Sequence, residues 1–175
     1  MHTDAIVVKA KAGDPEAFMQ LMLEMELPLY RTARSIVNKD EDCADALQET
    51  MLKAFKSIHT LRDPAFFKTW IFRILINECN RMVKSSSRTL PYGELPDVTS
   101  TSKDYEKIEL WDAVQHLEEN LRTVILLHYL QDMPISQISD ILEISKVAVK
   151  TRLHRARKKL KHSSQINQEK GVATS

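Results

Sequence analysis

Apolar residues recur at helical spacing along most of the chain. In the first half the pattern predicts four helices, with stop or start signals at Gly13, Asp14-Pro15 and Asp63-Pro64, at about residues 3–12, 15–37, 41–57 and 64–84. In the second half it predicts helices at about residues 104–117, 119–130, 134–142 and 146–161. The 175 residues include only three Gly, so the sequence provides for few sharp turns.

Residues 85–104 interrupt this pattern. They are rich in Ser, Thr and Pro and lack apolar periodicity, which is typical of a flexible linker. The sequence therefore predicts an all-α protein in which two small helical domains, residues 1–84 and 105–162, are joined by this linker. Residues 163–175 are expected to form a frayed tail.

The net charge of +1 hides a strong polarisation along the chain. Residues 1–84 carry 12 basic and 12 acidic side chains, residues 85–144 carry 4 and 11, and residues 145–175 carry 9 and 1. A basic C-terminal end behind an acidic middle indicates contact with nucleic acid.

The basic end coincides with a predicted helix-turn-helix. Two apolar stripes are separated by a break at residues 143–145, the first at Ile135, Ile138, Ile141 and Leu142 and the second at Val149, Leu153, Ala156 and Leu160. Ser145 is placed as the N-cap of the second helix. Lys150, Thr151, His154 and Arg155 are positioned for base edges, and the later cations, including Lys158 and Lys159, for phosphates. A solvated basic helix is the alternative interpretation.

Two further patterns lie in the first half. Asp42, Asp45 and Glu49, with Gln48 beside them, give the predicted third helix an acidic face, which on its own is most often simply solvated. In the fourth helix, Trp70, Ile71, Ile74 and Leu75 have core spacing, which predicts that Trp70 packs in the core rather than stacking on a base.

Together these stretches resemble the extracytoplasmic function (ECF) sigma factors of the sigma-70 family. Residues 117–129 and Val149-Lys150-Thr151-Arg152-Leu153-His154-Arg155-Ala156-Arg157 resemble region 4. Residues 12–18 resemble the opening motif of the family, Asp42-Cys43-Ala44-Asp45-Ala46-Leu47-Gln48-Glu49 resembles region 2.2, and residues 67–77 resemble regions 2.3 and 2.4. The resemblance covers roughly residues 5–84 and 105–161.

The resemblance implies three binding sites. Contacts to the promoter minus-35 element fall to Ser145, Lys146, Lys150, Thr151, His154, Arg155 and Lys158. Contacts to the minus-10 element, where a flipped base would be held, fall to Leu61, Lys68, Arg73 and Asn77. Core RNA polymerase would be bound through its beta-prime clamp helices, at Asp42, Asp45, Gln48 and Glu49, and through its beta flap. The implied function is initiation of a stress-response regulon under an anti-sigma factor, which in many members is membrane-anchored.

Four positions depart from the family pattern. Met51 stands where Phe is usual, Arg81 where Asp is usual, Glu118 where Pro is usual and Glu143 where Gly is usual. A residue other than Gly at a left-handed turn position costs on the order of 1 kcal/mol, so we expect Glu143 to reshape the turn. We expect Arg81 to add positive charge near the promoter.

Other classes of protein fit the sequence less well. HExxH, GxSxG and P-loop patterns do not occur, so we expect no enzymatic activity, no cofactor, no metal and no small-molecule substrate. Cys43 and Cys79 lack metal-ligand spacing and are interpreted as reduced thiols. No signal peptide precedes the first helix, so a cytoplasmic protein is expected. A helix-turn-helix regulator that acts without polymerase is the remaining alternative.

Overall fold

A computed structural model of the chain describes residues 2–37, 39–86 and 112–172. Every regular element in these ranges is helical and none is a strand, which confirms the predicted all-α fold class. The chain divides into two compact units, the first comprising residues 1–93 together with residues 140–143 and the second comprising residues 94–139 and 144–175. Residues 85 and 86, predicted to begin the linker, are helical, and the rest of the predicted linker and most of the predicted helix 104–117 lie outside the described residues. Residues 112–115 are helical.

The first unit contains four α-helices: α1 (His2–Lys11), α2 (Pro15–Arg34), α3 (Asp40–Ser57) and α4 (Phe67–Ser86). Gly13, with a φ of +96°, follows the end of α1 as predicted. Asp14 caps α2 because its Oδ1 accepts hydrogen bonds from the backbone N–H groups of Glu16 at 2.9 Å and Ala17 at 3.2 Å. The second Asp-Pro pair instead begins a 3-10 turn, Pro64–Phe66, so α4 begins three residues later than predicted.

The core of the first unit is built largely from α4. Phe67, Ile71, Phe72, Leu75 and Ile76 are buried. Of the four predicted core residues, Ile71 and Leu75 are fully buried, whereas Trp70 and Ile74 are only partly buried. The Trp70 ring lies beside the Phe67 ring, with their centroids 6.1 Å apart, so Trp70 does pack against the core.

Both cysteines are buried in this unit and neither forms a disulfide, in agreement with the interpretation as reduced thiols. Burial raises the pKa of the Cys43 thiol to about 11. The thiol is therefore protonated at neutral pH and acts as a small apolar side chain.

A buried carboxylate joins α3 to α4. Glu78, whose side chain is 5% exposed, accepts hydrogen bonds from the Lys53 ammonium and, at 3.0 and 2.8 Å, from Nε and Nη2 of Arg81. Burial raises the pKa of Glu78, but the hydrogen bonds and charges of Lys53 and Arg81 outweigh burial and hold that pKa below its usual value. Arg81 remains exposed and shares this single carboxylate with Lys53, so the expectation that Arg81 adds positive charge near the promoter stays a prediction.

We expect Glu78→Gln to lower the free energy of unfolding by about 1–3 kcal/mol at pH 7, because the charge-assisted hydrogen bonds from Lys53 and Arg81 to a buried carboxylate are lost. Since the native pKa of Glu78 is depressed, its contribution is present above the unfolded-state pKa and is lost as the pH falls below about 4. Urea unfolding followed by circular dichroism at pH 7 and pH 3 measures both effects. Glu24→Gln, at an exposed carboxylate on α2, is the matched control, and equal stability of the two variants at pH 7 would contradict the prediction.

The second unit contains α5 (Glu119–Ile125), α7 (Lys146–Val172) and, with residues 135–139, the first part of α6 (Ile135–Leu142). The predicted helix 119–130 is not a continuous α-helix, because Leu126–Leu130 form a π-helical turn closed by a hydrogen bond from Gln131 N–H to Leu126 O at 3.1 Å. Leu121, Val124 and Leu127 are buried in the core of this unit. The helix predicted to end at 161 extends to Val172, so the expectation of a frayed tail from residue 163 is wrong for its helical part.

Candidate nucleic-acid and polymerase interfaces

The turn between α6 and α7 keeps a left-handed residue. Glu143 has a φ of +54°, and Ser139 Oγ donates a hydrogen bond to Ile144 O at 2.6 Å within the turn. The Ile144 N–H also donates to Ser139 O at 3.2 Å. The expectation that Glu143 would reshape this turn is therefore wrong: hydrogen bonds hold the turn, and the strain of about 1 kcal/mol is tolerated.

The start of α7 is capped as predicted. Ser145 Oγ accepts a hydrogen bond from the Ala148 N–H at 3.1 Å, and Ser145 O accepts one from the Val149 N–H at 3.0 Å. This cap satisfies a backbone donor of the first turn and fixes where α7 begins. The rotational position of every later side chain on α7 follows from that start.

One face of α7 is apolar and buried, and the opposite face is exposed and rich in basic residues. Val149, Leu153 and Ala156 are buried in the second unit. The predicted minus-35 residues are all exposed: Ser145, Lys146, Lys150, Thr151, His154, Arg155 and Lys158. The helix thus brings the cations to one solvent-facing surface, and no acidic residue occurs in the sequence from position 144 to position 168. Such a surface attracts phosphates.

Two details of this surface were not predicted. The Thr151 hydroxyl donates a hydrogen bond to Val147 O at 2.9 Å, so it is already engaged with the helix backbone. Val147 is 72% exposed among the cations. An exposed apolar side chain on such a face can contact the methyl group of thymine, and helical spacing from Thr151 would have indicated its position.

The predicted minus-10 residues occupy three different environments. Arg73 and Asn77 are exposed and lie one helical turn apart on α4. Lys68 is partly buried at the start of the same helix. Leu61, between the 3-10 turns Ile58–Thr60 and Pro64–Phe66, is only 6% exposed, so it packs inside the first unit.

The predicted polymerase-binding residues lie along the solvent side of α3. Asp45 and Gln48 are exposed, and Asp42 and Glu49 are partly buried at the flank. The same exposed row continues at i+7 and i+10 from Asp45 with Leu52 and Phe55, which are 46% and 60% exposed. We call Asp45, Gln48, Leu52 and Phe55 the α3 row. Its apolar half was not predicted.

A second exposed apolar row runs along α2. Met19, Leu23, Leu27 and Tyr30 follow one another at spacings of four, four and three residues, and each is more than two-fifths exposed. We call them the α2 row. The Phe18 ring, next to Met19 in the chain, meets the Phe55 ring edge-on with centroids 5.2 Å apart. Apolar side chains exposed in a contiguous row are typical of an interaction surface.

In the described ranges, no helix is both long enough and apolar enough to cross a membrane. Within the same ranges, no three His, Cys, Asp or Glu side chains are grouped as metal ligands would be.

Comparison with known proteins identifies both units. Residues 21–89 match the family model of sigma-70 region 2, and residues 107–160 match that of sigma-70 region 4. RNA polymerase sigma factor SigV of Bacillus subtilis is 30% identical over 154 residues, which cover 86% of this chain and 93% of SigV. The chain belongs to the ECF family of RNA polymerase sigma factors. ECF sigma factor SigM of Mycobacterium tuberculosis is 31% identical over 165 residues, covering 91% of this chain and 83% of SigM.

Solved structures of other sigma factors share the fold. CnrH, solved in complex with the cytosolic domain of CnrY, has a TM-score of 0.68 and 24% identity, with 94% of this chain and 97% of CnrH covered. RpoE of Bartonella quintana, solved with the anti-sigma factor NepR, has a TM-score of 0.70 and 22% identity, with 85% and 97% covered. This ECF sigma factor is thus not a stand-alone helix-turn-helix regulator, and its family is not a family of enzymes.

Proposed function

We propose that this ECF sigma factor binds core RNA polymerase through its first unit and reads promoter DNA at two elements, minus-10 and minus-35. The observation that carries the proposal is the acid-free cationic surface of α7, set in register by the Ser145 cap. It supports DNA binding because a helix with a fixed start can present the same side chains to base edges each time it docks.

At the minus-35 element, α7 enters the major groove. Lys150, His154 and Arg155 reach base edges, and Val147 contacts a thymine methyl group. Lys146 and Lys158 contact phosphates, and Ser145 and Thr151 lie beside the backbone of the DNA. The exposure of all these side chains on one helix supports this assignment.

At the minus-10 element, α4 and the segment before it hold the melted strand. The exposed Arg73 and Asn77 are suited to a phosphate and a base edge, and Lys68 supplies charge at the start of α4. Leu61, being buried, shapes the pocket from inside. Extruding a base costs a few kcal/mol, which contacts in this pocket offset.

Core polymerase docks on the α3 row and the α2 row. The carboxylates of Asp42, Asp45 and Glu49 select a partner surface with basic side chains, and Gln48 adds a hydrogen-bonding group. The apolar residues of both rows supply the area that is removed from water. The partner surface is that of the beta-prime clamp helices, and the second unit contacts the beta flap.

The chain acts in the cytoplasm on the promoters of a stress-response regulon, without catalytic activity, cofactor or small-molecule substrate of its own. An anti-sigma factor, which we expect to be membrane-anchored, holds it inactive. The proposal of an anti-sigma partner is supported by the solved relatives CnrH and RpoE, the first in complex with the cytosolic domain of CnrY and the second with the anti-sigma factor NepR.

The test is whether DNA recognition depends on polymerase. We expect the chain to co-elute with bacterial core RNA polymerase in size-exclusion chromatography. We also expect the mixture to select particular fragments from a promoter library that neither component selects alone. Failure to co-elute, together with fragment selection by the chain alone, would overturn the proposal.

A further inference from the structure

An ion pair within the second unit reaches the cationic helix. Glu118, immediately before α5, accepts a hydrogen bond from Lys159 Nζ of α7 at 2.6 Å between Nζ and Oε1. Both side chains are more than half exposed, with 65% of the Glu118 side chain and 51% of the Lys159 side chain open to solvent. The pair therefore stands at the surface, where a third charged group can approach it.

A second cation acts on the same carboxylate. Arg155 lies one helical turn before Lys159 on α7 and is exposed. The hydrogen bond from Lys159 and its charge, with a smaller contribution from Arg155, hold the pKa of Glu118 below its usual value. Glu118 thus faces two cations of α7, one of which is a proposed base contact.

We propose that Glu118 competes with DNA phosphate for Lys159 and thereby lowers the affinity of the sigma factor for DNA. The inference rests on the proposed function, because it requires α7 to bind DNA. It adds a residue outside the helix-turn-helix that sets how strongly the helix binds.

The competition has a defined signature in salt dependence. A free Lys that contacts a phosphate releases a condensed counterion from the DNA, and each such contact contributes about −0.9 to the slope of log K against log salt concentration. When Lys159 must first leave Glu118, salt also weakens the exposed pair that it leaves, so part of the salt dependence of the phosphate contact is offset. Removing the charge of Glu118 should therefore steepen the slope by at most one contact.

The experiment uses the full chain and a 30-base-pair duplex of arbitrary sequence, since phosphate contacts do not depend on sequence. Fluorescence anisotropy gives the affinity across a salt series for wild type, Glu118→Gln and Glu119→Gln. We expect Glu118→Gln to bind about two- to fivefold tighter at low salt, in the range of an exposed ion pair, and with a slope steeper by at most about 0.9. Glu119→Gln makes the same change in net charge at an exposed neighbour and should alter affinity and slope less.

A double variant tests whether the effect of Glu118→Gln on DNA affinity acts through Lys159. In Lys159→Gln, the further change Glu118→Gln should leave affinity and slope close to those of Lys159→Gln alone. Equal binding by wild type and Glu118→Gln would overturn the inference, and weaker binding by Glu118→Gln would overturn it in favour of a positioning role. If wild type itself does not bind the duplex at any salt concentration, the proposed DNA-binding function of α7 fails instead.

Discussion

Replacing Lys150 and Arg155 together with Ala is expected to reduce promoter-specific transcription at least about thirtyfold. Each side chain is exposed on α7 and long enough to reach a base edge, and a good base contact contributes about 1–3 kcal/mol of discrimination. Because both positions are exposed and Ala is a strong helix former, the fold of the second unit should be unchanged. Run-off transcription with core polymerase measures the effect, and circular dichroism checks the fold.

The matched control removes two cations from the other unit. Lys9→Ala with Lys11→Ala changes the net charge of the chain by the same amount, on α1. We expect this control to keep most of the transcript. Equal losses in both double variants would mean that net charge, and not readout by α7, determines promoter binding.

The second large effect is expected at the α3 row. Asp45→Lys reverses the charge at the centre of the proposed polymerase-docking surface, where the side chain is exposed and lies in line with Leu52. Placing a like charge against a basic partner surface costs several kcal/mol, so affinity for core polymerase should fall at least tenfold. Titration of labelled chain with core polymerase, followed by anisotropy, measures this change.

Two further variants sharpen that result. Glu24→Lys makes the same charge reversal at an exposed residue of α2 that is not part of the α2 row, and it should bind polymerase nearly as wild type does. Leu52→Asp tests the apolar half of the α3 row and should weaken binding without reversing a charge. If Asp45→Lys and Glu24→Lys bind equally well, the α3 row is not the docking surface.

Local signals predicted the start of several helices. Asp14 and Ser145 cap α2 and α7 because a side-chain oxygen reaches a backbone donor two or three residues ahead, an interaction that sequence spacing alone specifies. Of the predicted apolar stripe of α7, Val149, Leu153 and Ala156 are buried, whereas Leu160 is only partly buried. The two family resemblances, to region 2 and region 4, rest on these same stretches and are confirmed.

Contacts across long stretches of chain could not be predicted in this way. The Lys159–Glu118 pair joins residues 41 positions apart, and Lys53 and Glu78 are 25 apart. Nothing in local spacing indicates that such side chains meet. The π-helical turn at Leu126–Leu130 also escaped a pattern based on a period of 3.6 residues.

The exposure of the α2 row and of the apolar residues of the α3 row could not be predicted for a different reason. Leu23 and Phe55 are helix residues of a type that most often packs in a core, and periodicity alone does not say which apolar residues remain exposed. Their exposure is evident only once α2 and α3 are packed together. The sequence thus indicated the acidic half of the proposed docking surface and missed the apolar half.

The most direct test of promoter-specific initiation by this sigma factor is run-off transcription with bacterial core RNA polymerase on a pool of promoter fragments, with and without the factor. We expect a small set of fragments to yield transcripts only when the factor is present, and we expect Lys150→Ala with Arg155→Ala to remove those transcripts. No factor-dependent transcript from any fragment, together with tight binding of the chain alone to a duplex operator, would contradict the proposed function.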